Sequence, residues 1–357
     1  MGRRSFGNIR KFRSGRYQAR YFFRGAWYKA DHTFRTKADA AAWLSIKQAE
    51  ITGGTWIDPG LSRETFEEYA DRWMKTRTDL ARTTRSKYDG LLRLHIFPKF
   101  GRVELGRLSA TAVRAWYHEL RDRFPNGSTA DDAYRVLRAI VNTAVTDGLI
   151  TKSPCTVKGA GSTAATERPV ASVAEVTAVI EAIPEQYRAG YAIAAWCQLR
   201  RGEILGLQRR HIDLERRLIK VEQEWVMAEG RPFLKESPKT AAGHRSIDIP
   251  TRIMPVIEAH LERHVKPEAE SWLYGNGRPI SPKHFYRAWE EARKEAALKM
   301  TLHDLRHSGL TWSARTGAPL AELMRRGGHS DPKASIRYQH ATRETGRALA
   351  DDLDKLT

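Results

Sequence analysis

The chain has 357 residues, 61 Lys and Arg against 42 Asp and Glu, a formal charge of +19 and a pI near 10.0. The excess is +8 over residues 1–61, +6 over 62–165 and +5 over the remainder, as expected of a protein that lies along a polyanion. The length favours two or three domains over one core. The composition also disfavours three classes: no apolar run approaches the ~18 residues of a membrane span, no apolar stretch follows Met1-Gly2-Arg3-Arg4 as in a secretory leader, and Cys155 and Cys197 lack the spacing of a disulfide framework or zinc module.

Residues 1–35 alternate as short strands do, over 7–12, 17–23 and 26–30, with glycine in the links Ser14-Gly15 and Arg24-Gly25. Thr36, with Asp39 three residues on, caps a helix that runs to Gly53-Gly54. The simplest arrangement is a three-stranded sheet backed by one helix. Arg10, Lys11, Arg16 and Arg20 are candidates for DNA contact by a β-ribbon in a groove, while Tyr17, Tyr21 and Trp27 read as rings packed on the helix.

Residues 62–151 read as four amphipathic helices, opening at Thr65 (with Glu68), near Thr83, at Ser109 and at Thr129. Together they predict a small bundle. Its polar faces carry Arg82, Arg85, Lys87, Arg93, Arg135 and Arg138, suited to phosphate contact. Residues 152–167, rich in Gly, Ser, Thr and Ala, read as a flexible linker.

From Ser172, with Glu175, a mainly helical domain begins. β-type segments at 218–221, 225–227 and 245–249 interrupt it, and helices return at about 251–264, 281–298, 303–316, 319–326 and 332–340. The fold class expected is multidomain α+β: a small sheet with a helix, a four-helix bundle, and a mainly helical domain with a small antiparallel sheet. The boundaries are 1–61, 62–151 and 168–357, with the linker at 152–167.

Six polar side chains stand in order from residue 200 onward: Arg200, Lys239, His303, Arg306, His329 and Tyr338. A tyrosine preceded by scattered cations suits attack on a phosphodiester. A phenol has a pKa of about 10, so supplying its phenolate at neutral pH costs roughly 4 kcal/mol, which nearby cations offset. Gly202 would break two helical runs and free Arg200 to point away, while Glu203 could grip a guanidinium with both oxygens. Lys239, on a turn, could protonate a leaving oxygen, with Lys235 as a rival. His303 and Arg306 share a helix face and can address one phosphate. His303 and His307 could instead begin a metal site, but no acidic third ligand is evident, and no metal or cofactor is expected. Tyr274 and Tyr286 precede the His-x-x-Arg box, and no tyrosine follows Tyr338.

This order, and the wording around each residue, resembles the tyrosine recombinase family, phage-type integrases in particular, over about residues 62–357. Leu199-Arg200-Arg201-Gly202-Glu203 is similar to the family's arginine box, with Gln198 where glycine is usual. Ser237-Pro238-Lys239 resembles its β-hairpin lysine. Gly327-Gly328-His329 resembles its Leu-Gly-His box, with Gly327 replacing leucine. The amino-terminal sheet resembles the arm-binding domain of bivalent integrases, and the bundle their SAM-like core-binding domain. The resemblance implies a site-specific recombinase that forms a 3′-phosphotyrosyl intermediate, with Tyr338 as nucleophile, Arg200 and Arg306 on the phosphate, His303 and His329 assisting, and Lys239 as general acid. It further implies core-type and arm-type double-stranded DNA sites, a homotetramer on synapsed DNA, a tail over 339–357 that docks on a neighbour, a host DNA-bending factor and an excisionase as candidate accessories, and work in the bacterial cytoplasm. The alternatives are a conjugative-transposon integrase, a type IB topoisomerase and a non-catalytic DNA-binding regulator.

Overall fold

The computed structural model describes residues 6–60, 63–125, 127–162, 168–236, 244–338, 346–347, 350–351 and 354. The chain divides into two compact units, 1–164 and 165–357.

The first unit begins with β1 (Asn8–Lys11), β2 (Tyr17–Phe23) and β3 (Ala26–Lys29), paired antiparallel in that order. Behind them lies α1 (Lys37–Thr52), capped by Thr36, whose hydroxyl accepts from the Asp39 amide at 3.1 Å. Side chains alternate across a strand, so Ala19 and Tyr21 face Ala40 and Leu44 while Arg20 and Phe22 face outward. Tyr21 packs on the helix, 5.7 Å from Trp43 between ring centres, and Tyr17 is half-buried. Trp27 departs from the expectation. The register pairs Tyr28 with Tyr21 and Trp27 with Phe22, which turns Trp27 to the outer face, where it is 55% exposed and Phe22 54%.

The four expected helices follow, the second of them in two pieces: α2 (Phe66–Thr76), α3 (Arg82–Leu91) with α4 (Phe97–Phe100), α5 (Ala110–Arg123) and α6 (Thr129–Thr146). The second expected helix continues past its predicted end through a wide π turn, Leu92–Ile96, into α4. Pro98 lies just beyond that turn, and its ring would clash with a carbonyl four residues back in an unbroken α-helix. Thr65 and Glu68 form the expected capping box. The core is aromatic, with Phe66, Trp73, Phe100, Trp116 and Tyr134 all buried.

The segment read as a linker is largely part of this bundle. Cys155 and Val157 pack against its core, Ala160 is buried, and the amides of Val157 and Gly161 donate to Tyr134 Oη (2.9 Å) and Asp131 Oδ1 (3.0 Å) on α6. Small residues let this stretch lie flat on the helix, which composition alone reads as looseness. Residues 163–167 of the expected linker lie outside the described residues.

The second unit holds α7 (Val173–Ala182), α8 (Glu185–Trp196), α9 (Arg201–Leu205), β4 (Ile212–Asp213), β5 (Leu218–Val221), β6 (Gln223–Ala228), β7 (Arg231–Glu236), β8 (Arg245–Asp248), α10 (Met254–Arg263), α11 (Pro282–Glu295), α12 (Leu302–Arg315), α13 (Leu320–Gly327) and α14 (Lys333–Ile336). The strands form a sheet, β4-β5-β8, and a separate ribbon, β6-β7. Strand β7 was not anticipated. Its hairpin turns at Glu229 and Gly230, both at positive φ, and Pro232 is tolerated because the two-stranded ribbon has only edges.

Helix α8 is central to this core, with Tyr191 stacked 4.4 Å from Phe285 of α11. Helix α12 presses so closely on α8 that a Cβ at Gly309 would lie 1.8 Å from the Ala195 carbonyl oxygen. That contact turns the Arg306 face of α12 inward. Among the described residues, no helix is long and apolar enough to cross a membrane.

Candidate active site

Helix α8 ends at Cys197, and the chain reverses through Gln198, which takes a left-handed φ of 56°. The break therefore falls at 197–200 and not, as expected, at Gly202, which sits inside α9. Glycine is at ease in this conformation, which explains why the family box places one at Gln198. Arg200 is thereby the N-cap residue of α9, its amide donating to Glu203 Oε2 at 2.7 Å and its Nη1 to Oε1 at 2.9 Å.

Glu203 is buried and grips a guanidinium with both oxygens, but chiefly that of Arg245, at 3.0 and 2.8 Å. Arg306 Nη1 lies 3.9 Å from the same carboxylate. Burial pushes this carboxyl up, but the Arg245 hydrogen bonds and the charges of Arg245, Arg200 and Arg306 outweigh it and hold it at about 2. Three guanidinium groups thus share one carboxylate, leaving two positive charges in excess. Arg245 and Arg306 are buried while the Arg200 side chain is 39% exposed, so the excess charge is open to solvent on the Arg200 side, where an anion could meet it.

Arg306, itself buried, donates to the carbonyls of Gln198 and Gly327, and its Nη2 lies 3.1 Å from His329 Nε2. Burial pushes its guanidinium down to about 9, which leaves it charged at neutral pH. Because arginine only donates, His329 Nε2 accepts, and the proton sits on Nδ1, 2.7 Å from Ser335 Oγ. Burial, then Arg306 and Arg200, hold the His329 imidazolium down at about 4, so the ring is neutral. His303 is exposed, yet desolvation, then Arg306 and Arg168, bring it to about 4 as well. Asp304, between them, caps α12 through the Thr301 amide at 2.7 Å and pairs with Arg168 at 2.9 Å.

The turn after α13 is made by Gly327 and Gly328. Gly328 takes a left-handed φ of 54°, and a Cβ there would meet Arg245 Nη1 at 2.9 Å and Arg200 Nη1 at 3.1 Å. Its carbonyl accepts from Arg200 Nη2 at 2.9 Å. A Cβ on Gly327 would lie 2.8 Å from the His329 ring, so glycine in place of leucine makes room for that imidazole. Tyr338, two residues past α14, is 4% exposed. Its ring lies parallel to His329 at 6.4 Å and tilted on His307 at 5.2 Å, and its hydroxyl accepts from Arg337 at 2.9 Å.

Five of the six expected residues are thus brought together. Lys239 lies outside the described residues, between β7 and β8. Its rival Lys235 pairs with Glu224 at 2.5 Å. Sequence reasoning missed Arg245 and Arg337, and weighed His307 only as a possible metal ligand. Arg245 had a signal: it shares a strand face with buried Ile247, and an arginine there needs a carboxylate. Among the described residues, no group of three or more His, Cys, Asp or Glu is placed to hold a metal ion.

The cations expected at DNA sort into two kinds. Arg20 lies over Trp27 at 4.5 Å, Arg10 over Phe12 at 5.8 Å and Lys11 over Tyr17 at 5.7 Å, all exposed. Arg82 is exposed at the start of α3, and Arg138 reaches over Tyr134 at 5.8 Å. Arg16 is tied to Thr33. Arg85 is half-buried and donates to the carbonyls of Met74 (2.8 Å) and Arg77 (2.6 Å), so it closes the end of α2. Lys87 and Arg135 both pair with Asp132.

Three comparisons with known proteins agree. Family models match at residues 5–53 (phage integrase, N-terminal domain), 65–121 (phage integrase, N-terminal SAM-like domain) and 171–345 (phage integrase family). The chain is 40% identical to a putative prophage phiRv2 integrase of Mycobacterium tuberculosis, over 99% of this chain and 96% of that one. Among solved structures, the Tn1549 transposon integrase in complex with a circular intermediate DNA shares the fold, with a TM-score of 0.68 at 20% identity over 81% of this chain and 99% of that one. A lambda integrase tetramer bound to a Holliday junction matches at 0.58 and 16% identity, over 91% and 96%.

Proposed function

The chain belongs to the phage integrase family and is a tyrosine-type site-specific recombinase, and from that premise we propose that it breaks and rejoins DNA through Tyr338 to integrate and excise a phage genome. Its scissile phosphate sits on the Arg200, Arg245 and Arg306 cluster. The observation that carries this reading is the charge excess around Glu203, joined through His329 to the ring of Tyr338. Fixed cations stabilise a pentacoordinate phosphorus as charge grows on its nonbridging oxygens.

Tyr338 gives its proton to water and attacks in line, the phosphorus to O5′ bond breaks, and the departing oxygen takes a proton from Lys239. One phosphodiester replaces another, so rejoining needs no ATP. His303 and His329, held neutral by desolvation and the neighbouring arginines, hydrogen-bond the phosphate or assist proton movement. Residues 1–61 take arm-type DNA, 62–151 and 168–357 take core-type DNA, and four chains act together because recombination cuts four strands. A host DNA-bending factor and an excisionase complete the assembly, in the bacterial cytoplasm.

The test is a nicked attachment-site duplex that traps the cleaved strand. The expected result is a protein-linked DNA band on a denaturing gel that Tyr338→Phe abolishes. A band that survives the substitution would remove Tyr338 from the role.

A further inference from the structure

Arg337 lies outside the expected six, and it is the residue that touches the nucleophile. Its Nη2 donates to Tyr338 Oη at 2.9 Å, and its guanidinium carbon stands 5.0 Å from the centre of the same ring. Burial is the largest cause of the lowered imidazolium at His303, His307 and His329, but Arg337 adds its charge at all three. Its charge is therefore felt at each of the three imidazoles.

The cluster arginines are each anchored by other protein groups rather than by Tyr338. Arg306 is held by two carbonyls and His329, and Arg200 by Glu203 and the Gly328 carbonyl. Arg337 is exposed, and among the described residues its hydrogen bond goes to Tyr338. A guanidinium offers five N–H donors in a rigid fork, so one can stay on Oη while others meet a phosphate oxygen.

We propose that Arg337 is a further member of the site, the charged donor that stabilises the Tyr338 phenolate and links its oxygen to the incoming phosphate. This rests on Tyr338 being the nucleophile. Tyr338 gives its proton to water and its oxygen bonds phosphorus; the P–O5′ bond breaks, and O5′ takes up a proton. Arg337 acts on the first half of that exchange. It holds negative charge on Oη before attack and follows that charge onto the nonbridging oxygens as the bond forms.

The experiment is single-turnover cleavage of the nicked duplex at saturating full-length protein, from pH 6.5 to 9.5, for the wild type, Arg337→Gln and Arg337→Lys. Losing a charged donor at a reacting oxygen costs about 100-fold, so Arg337→Gln is expected to be slowed by that order at pH 7. The deficit narrows as pH rises and hydroxide supplies the phenolate. Arg337→Lys, which keeps the charge but not the fork, recovers most of the rate. A duplex with sulfur in place of the scissile O5′ needs no proton on its leaving group, so it leaves the Arg337→Gln deficit unchanged. Cleavage by Arg337→Gln at the wild-type rate overturns the proposal, as does an equal deficit at every pH in both variants, or rescue by sulfur. Tyr338→Phe runs alongside. If it still forms the adduct, the nucleophile itself is wrong; if it is inactive while Arg337→Gln is normal, only the role of Arg337 falls.

Discussion

Arg200, Arg245 and Arg306 of the carboxy-terminal unit converge on Glu203 and on backbone carbonyls, whereas Arg10 and Arg20 of the amino-terminal sheet lie over the faces of Phe12 and Trp27. A carboxylate or carbonyl takes up N–H donors and fixes where the charge sits. A ring face supports the cation and leaves its donors for a partner. The first arrangement suits a point where one phosphorus must be met in one geometry. The second suits a surface that reads or follows an extended duplex.

The largest effect that could break this contrast is expected from Glu203→Gln. Arg245 and Arg306 would then be buried without their carboxylate, a loss of about 3–5 kcal/mol in stability. Urea unfolding measures it, and an unchanged midpoint would mean the carboxylate is not the anchor. Acid should loosen the same cluster. His329 is ordinarily near 6.5 and is held at about 4 in the fold, so the unfolded chain binds more protons between those values. Its contribution is complete above 6.5 and is lost as pH falls toward 4. Glu203, ordinarily 4.5 and held at about 2, continues the loss below 4.5. Denaturant midpoints at pH 7, 5.5 and 4.5 should fall in that order, and a flat series would contradict it.

Smaller effects sharpen the contrast. Arg85→Ala removes charged hydrogen bonds to two carbonyls and should cost about 2 kcal/mol, with core-site DNA affinity unchanged in a gel shift. Arg20→Ala should leave thermal unfolding within about 0.5 kcal/mol of the wild type. It should make the salt dependence of arm-DNA binding shallower by about one counterion. Weakened binding in Arg85→Ala, or unfolding in Arg20→Ala, would exchange the two roles.

Much of the architecture was legible because its signals are local. Thr36 with Asp39, Thr65 with Glu68 and Ser172 with Glu175 each cap the helix their spacing predicts. The charge of the active site was legible as an ordered set of residues. What was hidden depends on contacts distant in sequence. Arg85 reads as a surface cation until α2 is seen to end beside it, and residues 152–161 read as slack until Tyr134 and Asp131 are seen to bind them. Trp27 was misplaced by one strand register, since pairing with Phe22 rather than Tyr21 reverses its face. Arg245 and Arg337 were passed over because what marks them, the Glu203 carboxylate and the Tyr338 hydroxyl that they reach, is visible only in the fold.

Gln198 carries a consequence for how the site moves. A glycine would adopt its left-handed turn without the cost, on the order of 1 kcal/mol, that a side chain incurs there. In return its carbonyl receives Arg306, its amide oxygen receives Arg326 from α13 at 2.6 Å, and its amide nitrogen reaches the Trp196 carbonyl at 2.8 Å. The joint between α8 and the Arg200 turn, where a glycine would let the chain swivel, is instead pinned to the helix that ends at the His329 turn. The Arg200 turn and the His329 turn are therefore held to each other through one side chain and one carbonyl of a single residue.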